Sequence, residues 1–218
     1  INHLKNTVSS FILYIVLKKN SLEYFNNNIY HYHNNNVWDG MDYNEETWPT
    51  SFAVFPQASS KNGIYTDSLI VMAYMSYDEV KEWDNTKNII PNSEENRGES
   101  YDKFKKEKSE KLIEALEQRM PGIKDKIESY YSSTPLTYRD YIGSRDGTLY
   151  GIEKDYTDPL KTFITPKTKV PNLFLTGQNL NLHGMLGVTV SAVVTCSEIV
   201  PEPKELIRKI KKYAGEYA

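Results

Sequence analysis

Cysteine is almost absent from this sequence of 218 residues, which contains only Cys196. A single cysteine excludes an internal disulfide framework and any metal site that is built from several cysteines. Because Cys196 lies in a helix-length run of small and apolar residues, we expect its thiol to be buried and unreactive.

Long apolar runs and an excess of positive charge are also missing. The longest apolar stretch near the start, residues 11–17, is far shorter than the roughly 20 residues that a membrane-spanning helix needs. The net charge is −3, so the chain has no overall basic field that would favour nucleic acid as a partner. Hydrophobic residues still make up 39% of the chain, which is enough for a substantial core.

The first half of the chain is predicted to form a sheet. Its stretches rich in β-branched and aromatic residues are 9–20 (a strand and a turn), 30–32, 51–59 and 67–77. A Lys-Asn-Gly turn at residues 61–63 separates the last two stretches and indicates an antiparallel pair. We therefore expect an antiparallel sheet of three or four strands.

The second half is predicted to be mainly helical. Apolar side chains recur at helical spacing over residues 101–120, and Pro121-Gly122 ends that helix. Further helices are expected at 123–131, 187–200 and 204–213, with a structured loop between 134 and 151. The expected fold class is α/β (α+β-like), with a mixed, mostly antiparallel sheet that the 101–120 helix covers on one side.

The junction between residues 172 and 200 is the least ordinary part of the sequence. A strand predicted at 172–176 leads through a Gly- and Asn-rich loop into the 187–200 helix. The first turn of a helix carries unsatisfied N–H groups and a partial positive charge, which attract an anion or an electron-rich carbonyl. On the residues alone, a ligand-facing helix start and a purely structural strand–turn–helix both remain open.

Two blocks of the chain carry a family resemblance. "PNLFLTGQNLNLHGMLGVTVSAVVTCSEIV" (171–200) and "STPLTYRDYIGSRDGTLYG" (133–151) resemble the C-terminal flavin-binding segment of a group of FAD-dependent oxidoreductases. That group comprises the phytoene desaturases, carotenoid isomerases and retinol saturases. The Asn-Leu-His-Gly wording at 181–184 is closest to the retinol saturase and carotenoid isomerase branch.

The resemblance implies a set of contacts with FAD. Gly177 and Gln178 would lie beside the ribityl and pyrophosphate part, and Gly187 and Val188 would present N–H groups to the flavin ring. The residues expected to line the flavin or substrate face between them are Asn179, Asn181 and His183. Of these, His183 is the candidate catalytic residue.

The chemistry implied by the resemblance is oxidation, saturation or isomerisation of C=C bonds in a polyene or other apolar, lipid-like small molecule. In such enzymes the cofactor performs the hydride or electron transfer, and the protein orients it against the substrate. A cytoplasmic location is expected, and an apolar substrate would suit peripheral contact with a membrane.

One hallmark of the family is missing from the chain. Its members bind most of their FAD through an N-terminal Gly-x-Gly-x-x-Gly unit, which does not occur in this sequence. We therefore interpret residues 1–165 as a partial substrate-binding domain and residues 166–218 as the C-terminal segment of a Rossmann-type FAD-binding domain.

The partner of this chain would then be the missing N-terminal half of its own polypeptide. On this interpretation the isolated fragment neither binds FAD tightly nor catalyses the reaction. An exposed apolar face on the 187–200 helix is expected to make the fragment self-associate. Two alternatives remain open: a non-catalytic ligand-binding or interaction module derived from this fold, and a flavin amine oxidase-like enzyme.

Three other groups of residues invite functional interpretations. His31 and His33 share a strand face but lack an apparent third ligand, so no metal site is expected. Arg139 and Arg145 either clamp a phosphate or carboxylate or pair with neighbouring acidic residues. The three tryptophans line an apolar substrate tunnel or pack in the core: Trp38, Trp48 and Trp83.

Overall fold

The computed structural model describes residues 4–58, 63–87 and 97–216. The chain divides into two compact units. We call Val8–Leu149 the sheet unit, and Ile1–Thr7 together with Tyr150–Ala218 the terminal unit. The predicted assignment of 1–165 to a substrate domain and 166–218 to an FAD-binding domain stays a prediction.

An antiparallel sheet dominates the sheet unit. Within the described residues it has five strands in the order β2-β3-β4-β1-β5, and every neighbouring pair is antiparallel. The strands are β1 Ser9–Leu17, β2 Ile29–Tyr32, β3 Ser51–Ala58, β4 Thr66–Met75 and β5 Ile127–Ser133. The predicted antiparallel sheet is confirmed, but it has five strands and not the three or four expected. Residues 61 and 62 of the predicted turn lie outside the described residues.

The helix predicted at 123–131 is wrong. A short 3-10 turn, Lys124–Lys126, is followed directly by β5. This strand pairs with β1, so that Ile15 stands opposite Tyr130. Strand β1 would otherwise leave one edge of backbone groups unpaired, and this tertiary requirement outweighs the local helical pattern.

The core lies between one sheet face and helix α1, Glu99–Arg119. Alternate residues of β1, including Phe11, Leu13 and Ile15, point into it and are at most 1% exposed, as the period of a strand requires. Leu112 and Leu116 of α1 complete the same cluster. The helix predicted at 101–120 and its covering role are therefore confirmed.

Core packing also accounts for two of the tryptophans. Trp48 is 3% exposed and makes an edge-on contact with Phe11, with 5.7 Å between ring centroids. Trp83 is 8% exposed and packs against Tyr101. Trp38, by contrast, is 88% exposed.

The sheet unit also contains a short helix, α2 Pro135–Ile142, within the predicted 134–151 loop. Among its described residues the terminal unit contains two α-helices, α3 Gly184–Ile199 and α4 Pro203–Glu216. The strand predicted at 172–176 is wrong: in the described residues this segment forms a single bridge, between Lys167 and Phe174. Hydroxyl groups of α3 bind the backbone of this segment instead, at Leu175 and Gly177. A strand forms only where another strand lies alongside, so its sequence pattern alone does not suffice.

Helix α3 buries one narrow stripe of small and hydroxyl-bearing residues and exposes most of its apolar ones. Gly187, Ser191 and Thr195 are its buried residues. Its exposed apolar side chains are Met185, Leu186, Val188, Val190, Val194 and Ile199. The predicted exposure of an apolar face on this helix is confirmed.

The thiol of Cys196 also lies on the exposed part of α3. The prediction that it is buried is wrong, because the small residues that suggested close packing use only one narrow stripe of the helix.

Across the described ranges 4–58, 63–87 and 97–216, no helix has both the length and the apolar character needed to cross a bilayer.

Candidate functional site

The loop before α3 is shaped by two glycines with left-handed backbone. Gly177 has φ +106° and Gly184 has φ +75°, a region that residues with a side chain rarely adopt. Between them a turn is closed by a hydrogen bond of 3.2 Å from the Leu180 N–H to the Gly177 carbonyl. Among the described atoms, none lies within 4 Å of the position that a β-carbon would take at either glycine.

The start of α3 presents free backbone donors. His183 is the N-cap residue, and its side chain makes no capping hydrogen bond to this helix end. Helix geometry leaves the N–H groups of Gly184, Met185 and Leu186 without partners in the ladder. The side chains of Met185 and Leu186 are 88% and 75% exposed, so this helix end is open to a ligand.

These donors come earlier in the chain than the sequence indicated. The predicted helix began at Gly187, but α3 begins at Gly184. A β-carbon at Gly187 would lie 2.4 Å from the backbone carbonyl of Leu182, so glycine is required there for close packing of the loop. Val188 is 38% exposed.

Asn179 connects the two sequence blocks that carry the family resemblance. Its side-chain oxygen accepts a hydrogen bond of 3.0 Å from the Ile152 N–H. Gly151 has φ +82°, and a β-carbon there would lie 2.2 Å from the same oxygen. Gly151, which ends the 133–151 block, therefore makes room for Asn179 of the 171–200 block.

Lys154 holds the same loop and was missed from the sequence. Its Nζ donates to the carbonyl oxygens of Asn179 (2.7 Å), Leu180 (3.0 Å) and Thr162 (3.2 Å). Burial lowers the pKa of Lys154. A lone lysine in a polar stretch carries no pattern that would have identified this contact.

The remaining predicted residues lie in the same loop. The ring of His183 packs against Tyr150 of the terminal unit, with 4.6 Å between centroids. Gln178 and Asn181 are partly buried. The structure thus brings all seven predicted residues into one segment, with Asn179 in a supporting position and His183 at the helix start.

The two arginines of the 133–151 block form ion pairs with acidic residues. Arg139 forms ion pairs with Asp140 at 2.7 Å and with Asp84 at 2.9 Å. Arg145 pairs with Asp146 at 3.7 Å. Of the two interpretations of these arginines, pairing with acidic neighbours is the one that the structure supports.

His31, in β2, and His33, directly after this strand, belong to an aromatic cluster. The ring of His31 lies 5.4 Å from that of His33 and 5.0 Å from that of Phe52. Burial, followed by the neighbouring His33, lowers the pKa of His31. Within the part of the chain that the structure describes, no group of three or more potential metal ligands occurs.

Together these features fit the cofactor implied by the resemblance. An uncapped helix start, two unobstructed glycines and exposed apolar side chains can accept a flat group with an electron-rich edge. The donors are backbone N–H groups, which suit the carbonyl oxygens of a flavin ring or the oxygens of a phosphate.

No family model matches this chain. All-trans-retinol 13,14-reductase of Danio rerio is 31% identical over 136 residues, which is 61% of this chain and 21% of that protein. The proteins of the same name from Macaca fascicularis and Homo sapiens are each 26% identical over 161 residues, or 70% of this chain.

The resemblance to the retinol saturase-like family is confirmed. The chain spans about a fifth to a quarter of the length of these curated relatives, 21% in one case and 25% in the others. The retinol saturase-like similarity covers most of the chain, whereas much of each relative has no counterpart in it.

Proposed function

We propose that this chain is the C-terminal part of an FAD-dependent oxidoreductase that acts on C=C bonds of a polyene or lipid-like substrate. The observation that carries the proposal is the open start of α3 after the loop from Gly177 to Gly184, in a chain similar to retinol reductases. The names of these relatives state a reduction of all-trans-retinol, which supports an apolar, unsaturated substrate.

FAD, when bound, supplies the hydride or electron chemistry. The residues of this chain that would hold it are the glycines at 177 and 184 and the backbone donors that open α3. The N–H groups of Met185 and Leu186 carry the positive end of the helix dipole, which stabilises negative charge on an adjacent ring. Two hydrogen bonds keep the loop in place: the Asn179 side chain accepts from the Ile152 N–H, and Lys154 donates to the Asn179 carbonyl.

The exposed apolar side of α3 suggests that a further part of the polypeptide packs against this helix. Apolar side chains such as Leu186, Val190 and Val194 face solvent, although a soluble protein normally buries such a surface. We propose that the remainder of a longer polypeptide, including a Gly-x-Gly-x-x-Gly unit, covers this surface and provides most of the contacts with FAD. A cytoplasmic or membrane-peripheral location belongs to the same proposal.

The first test is the coding sequence upstream of this chain. An in-frame Gly-x-Gly-x-x-Gly strand–helix unit would support the flavoenzyme, and its absence would favour a ligand-binding module. The second test is the absorbance spectrum of the purified chain of 218 residues. We expect this chain to lack flavin, and a stoichiometric yellow protein would contradict its proposed status as a fragment.

A pair of substitutions at Met185 tests the helix start in the longer polypeptide. Met185→Glu places a negative charge beside the N–H groups of α3, which repels an electron-rich ligand but favours the helix itself. Met185→Gln is the matched control, because it has the same length and polarity without the charge. We expect the Glu variant to lose flavin and the Gln variant to retain it.

Flavin content and melting temperature should be measured together for both variants. If both variants carry as much flavin as the unmodified protein, the helix start does not face the cofactor. If the Glu variant loses flavin without losing thermal stability, a folding defect is excluded as the cause.

A further inference from the structure

A cavity of about 400 Å³ opens in the sheet unit, at a place that the flavin proposal does not use. Met41 and Phe104 provide apolar walls, and the polar groups of Tyr43, Glu79 and Lys108 line the same cavity. This volume lies within the range of small-molecule sites, as does the combination of apolar walls with a few convergent polar groups.

The polar groups of the cavity form one connected network. The Tyr43 hydroxyl donates to Glu79 Oε1 at 2.6 Å and accepts from the Ser76 N–H, also at 2.6 Å. The second oxygen of Glu79, Oε2, forms an ion pair with Lys108 Nζ. Burial, followed by the hydrogen bond to Glu79, raises the pKa of Tyr43, so the phenol remains a donor at neutral pH.

Lys108 is the unusual member of this network. Its side chain is 5% exposed, although lysine is almost never fully buried unless it is paired. The ammonium lies 4.7 Å from the ring centroid of Trp48 and 5.6 Å from that of Phe104. The aromatic faces and Glu79 together stabilise a buried positive charge at the cavity wall.

The charges of this pair select among ligands. A carboxylate would be attracted by Lys108 and repelled by Glu79, and an ammonium group would experience the reverse. Glu45, an exposed residue that also lines the cavity, adds a further repulsion for anions. A neutral hydroxyl can donate to the carboxylate and accept from the ammonium, so neither member of the pair is opposed.

We infer that this cavity binds an apolar ligand by a terminal hydroxyl group, with Glu79 and Lys108 as the two hydrogen-bonding partners. The inference rests on the proposed function in one respect: the cavity would hold the alcohol end of the apolar substrate. It assigns Glu79, Lys108 and Tyr43 to ligand binding and gives none of them a catalytic role.

Three unbranched ligands of about eight carbon atoms test the charge argument: 1-octanol, octanoate and octylammonium. Binding to the full chain is measured through tryptophan fluorescence, because Trp48 lies beside Lys108. We expect 1-octanol to bind about tenfold more tightly than either ion, the factor expected when one hydrogen bond to a charged group is lost.

The substitution Glu79→Gln removes the negative charge and keeps an oxygen that can accept from Tyr43. We expect the affinity ratio of octanoate to 1-octanol to rise by about tenfold, because Lys108 is then uncompensated. The control is Glu82→Gln, on the same 3-10 segment Tyr77–Trp83. Glu82 is exposed, and its substitution makes the same change in net charge away from the cavity.

A second variant guards against a folding defect in Glu79→Gln. Met41→Trp fills the cavity from its apolar wall and leaves the charged pair intact, so 1-octanol affinity should fall by at least about tenfold. Equal affinity for all three ligands in the unmodified chain, or an unchanged ratio in Glu79→Gln, would overturn the inference.

Failure of this inference is separable from failure of the proposed function. The alkyl ligands are measured without flavin, so absent binding refutes the cavity assignment and leaves the flavin proposal intact. Conversely, a longer polypeptide that never binds flavin would refute the proposed function, while selective alcohol binding would still stand.

Discussion

The hydroxyl of Ser191 bonds both backbone groups of Gly177. It accepts from the Gly177 N–H at 3.2 Å and donates to the Gly177 carbonyl at 3.0 Å. Ser191 is fully buried at 0% exposure, so one side chain attaches α3 to the backbone at the start of the candidate flavin loop. The backbone of the Thr-Gly-Gln segment at 176–178 is thus held by a serine 14 residues further along the chain.

Ser191→Ala should loosen this attachment. The substitution leaves the Gly177 N–H without its acceptor, while the Gly177 carbonyl keeps the Leu180 N–H as a donor. An unsatisfied buried donor costs about 1 to 3 kcal/mol of unfolding free energy. Thr189→Ala is the control, because the exposed Thr189 hydroxyl bonds only within its own helix, to Met185. Chemical denaturation of both variants measures the difference, and equal stability would contradict the role of Ser191.

Gly187→Ala should disturb the loop more severely. The added β-carbon would lie 2.4 Å from the Leu182 carbonyl group, a distance that forces backbone movement and costs about 1 to 3 kcal/mol. At Gly215 of α4, by contrast, none of the described atoms lies within 4 Å of the added carbon. Gly215→Ala should therefore be neutral or stabilise the helix by up to about 1 kcal/mol, as thermal unfolding would reveal.

Asp140→Asn should destabilise the sheet unit. Asp140 bonds Arg97, and their side chains are 1% and 4% exposed, so the substitution leaves a buried guanidinium without its countercharge. We expect a loss of about 3 to 5 kcal/mol of unfolding free energy. Asp78→Asn, at an exposed pair with Lys81, should change stability by less than about 0.5 kcal/mol; similar losses for both variants would refute the argument.

Glu117 should make part of the stability depend on pH. Its carboxylate accepts the backbone N–H groups of Gly122 at 2.6 Å and Lys124 at 2.9 Å, and these hydrogen bonds lower the pKa of Glu117. Since the folded-state pKa is below that of the unfolded chain, the stabilisation is present at neutral pH. It is lost as the pH falls below about 4.3, the pKa of an unperturbed glutamate.

The variant Glu117→Gln checks this sign. It should melt at a lower temperature than the unmodified chain at pH 7, and the two melting temperatures should converge in acid. Glu110→Gln is the control on the same helix, where Glu110 makes only a 3.9 Å contact with Lys106. A difference between Glu117→Gln and the unmodified chain that persists unchanged at low pH would argue against the carboxylate.

The exposed face of α3 should make the isolated chain self-associate. Val190 and Val194 are 40% and 36% exposed, and contiguous apolar surface of this kind promotes association. Val190→Glu should reduce the concentration-dependent mass in sedimentation velocity. Gln118→Glu adds the same charge at an exposed position of α1 and should leave the mass unchanged; a monomeric unmodified chain would disprove the prediction.

The sheet strands and α1 were predictable because each of them satisfies a local periodicity. Strand β1 has a period of two and α1 an apolar stripe at helical spacing, and both patterns follow from geometry within one element. The position of Lys108 on that stripe, between Phe104 and Leu112, follows from helical spacing, but the sequence does not reveal Glu79 as its partner. That pairing joins two segments that are 29 residues apart, 108 − 79.

The early start of α3 accompanies a short-range contact between Leu182 and Gly187, which has no hydrophobic period to reveal it. Strand β5 was not predictable because its cause lies outside its own residues. Ile127–Ser133 becomes a strand because β1 offers it an edge. Local pattern has little weight where the deciding contact is made by a distant part of the chain.

The sequence by itself determined the antiparallel sheet, its covering helix and the resemblance to retinol saturase-like proteins, since each is carried by contiguous residues. The tertiary structure alone decided which side chains fix the glycine loop and which line the cavity. Ser191, Lys154 and Asn179 position the glycine loop through backbone contacts, and Glu79 with Lys108 forms a buried pair at a cavity. The physical reason is that hydrogen bonds and ion pairs depend on distances in space, and those distances exist only after the chain has folded.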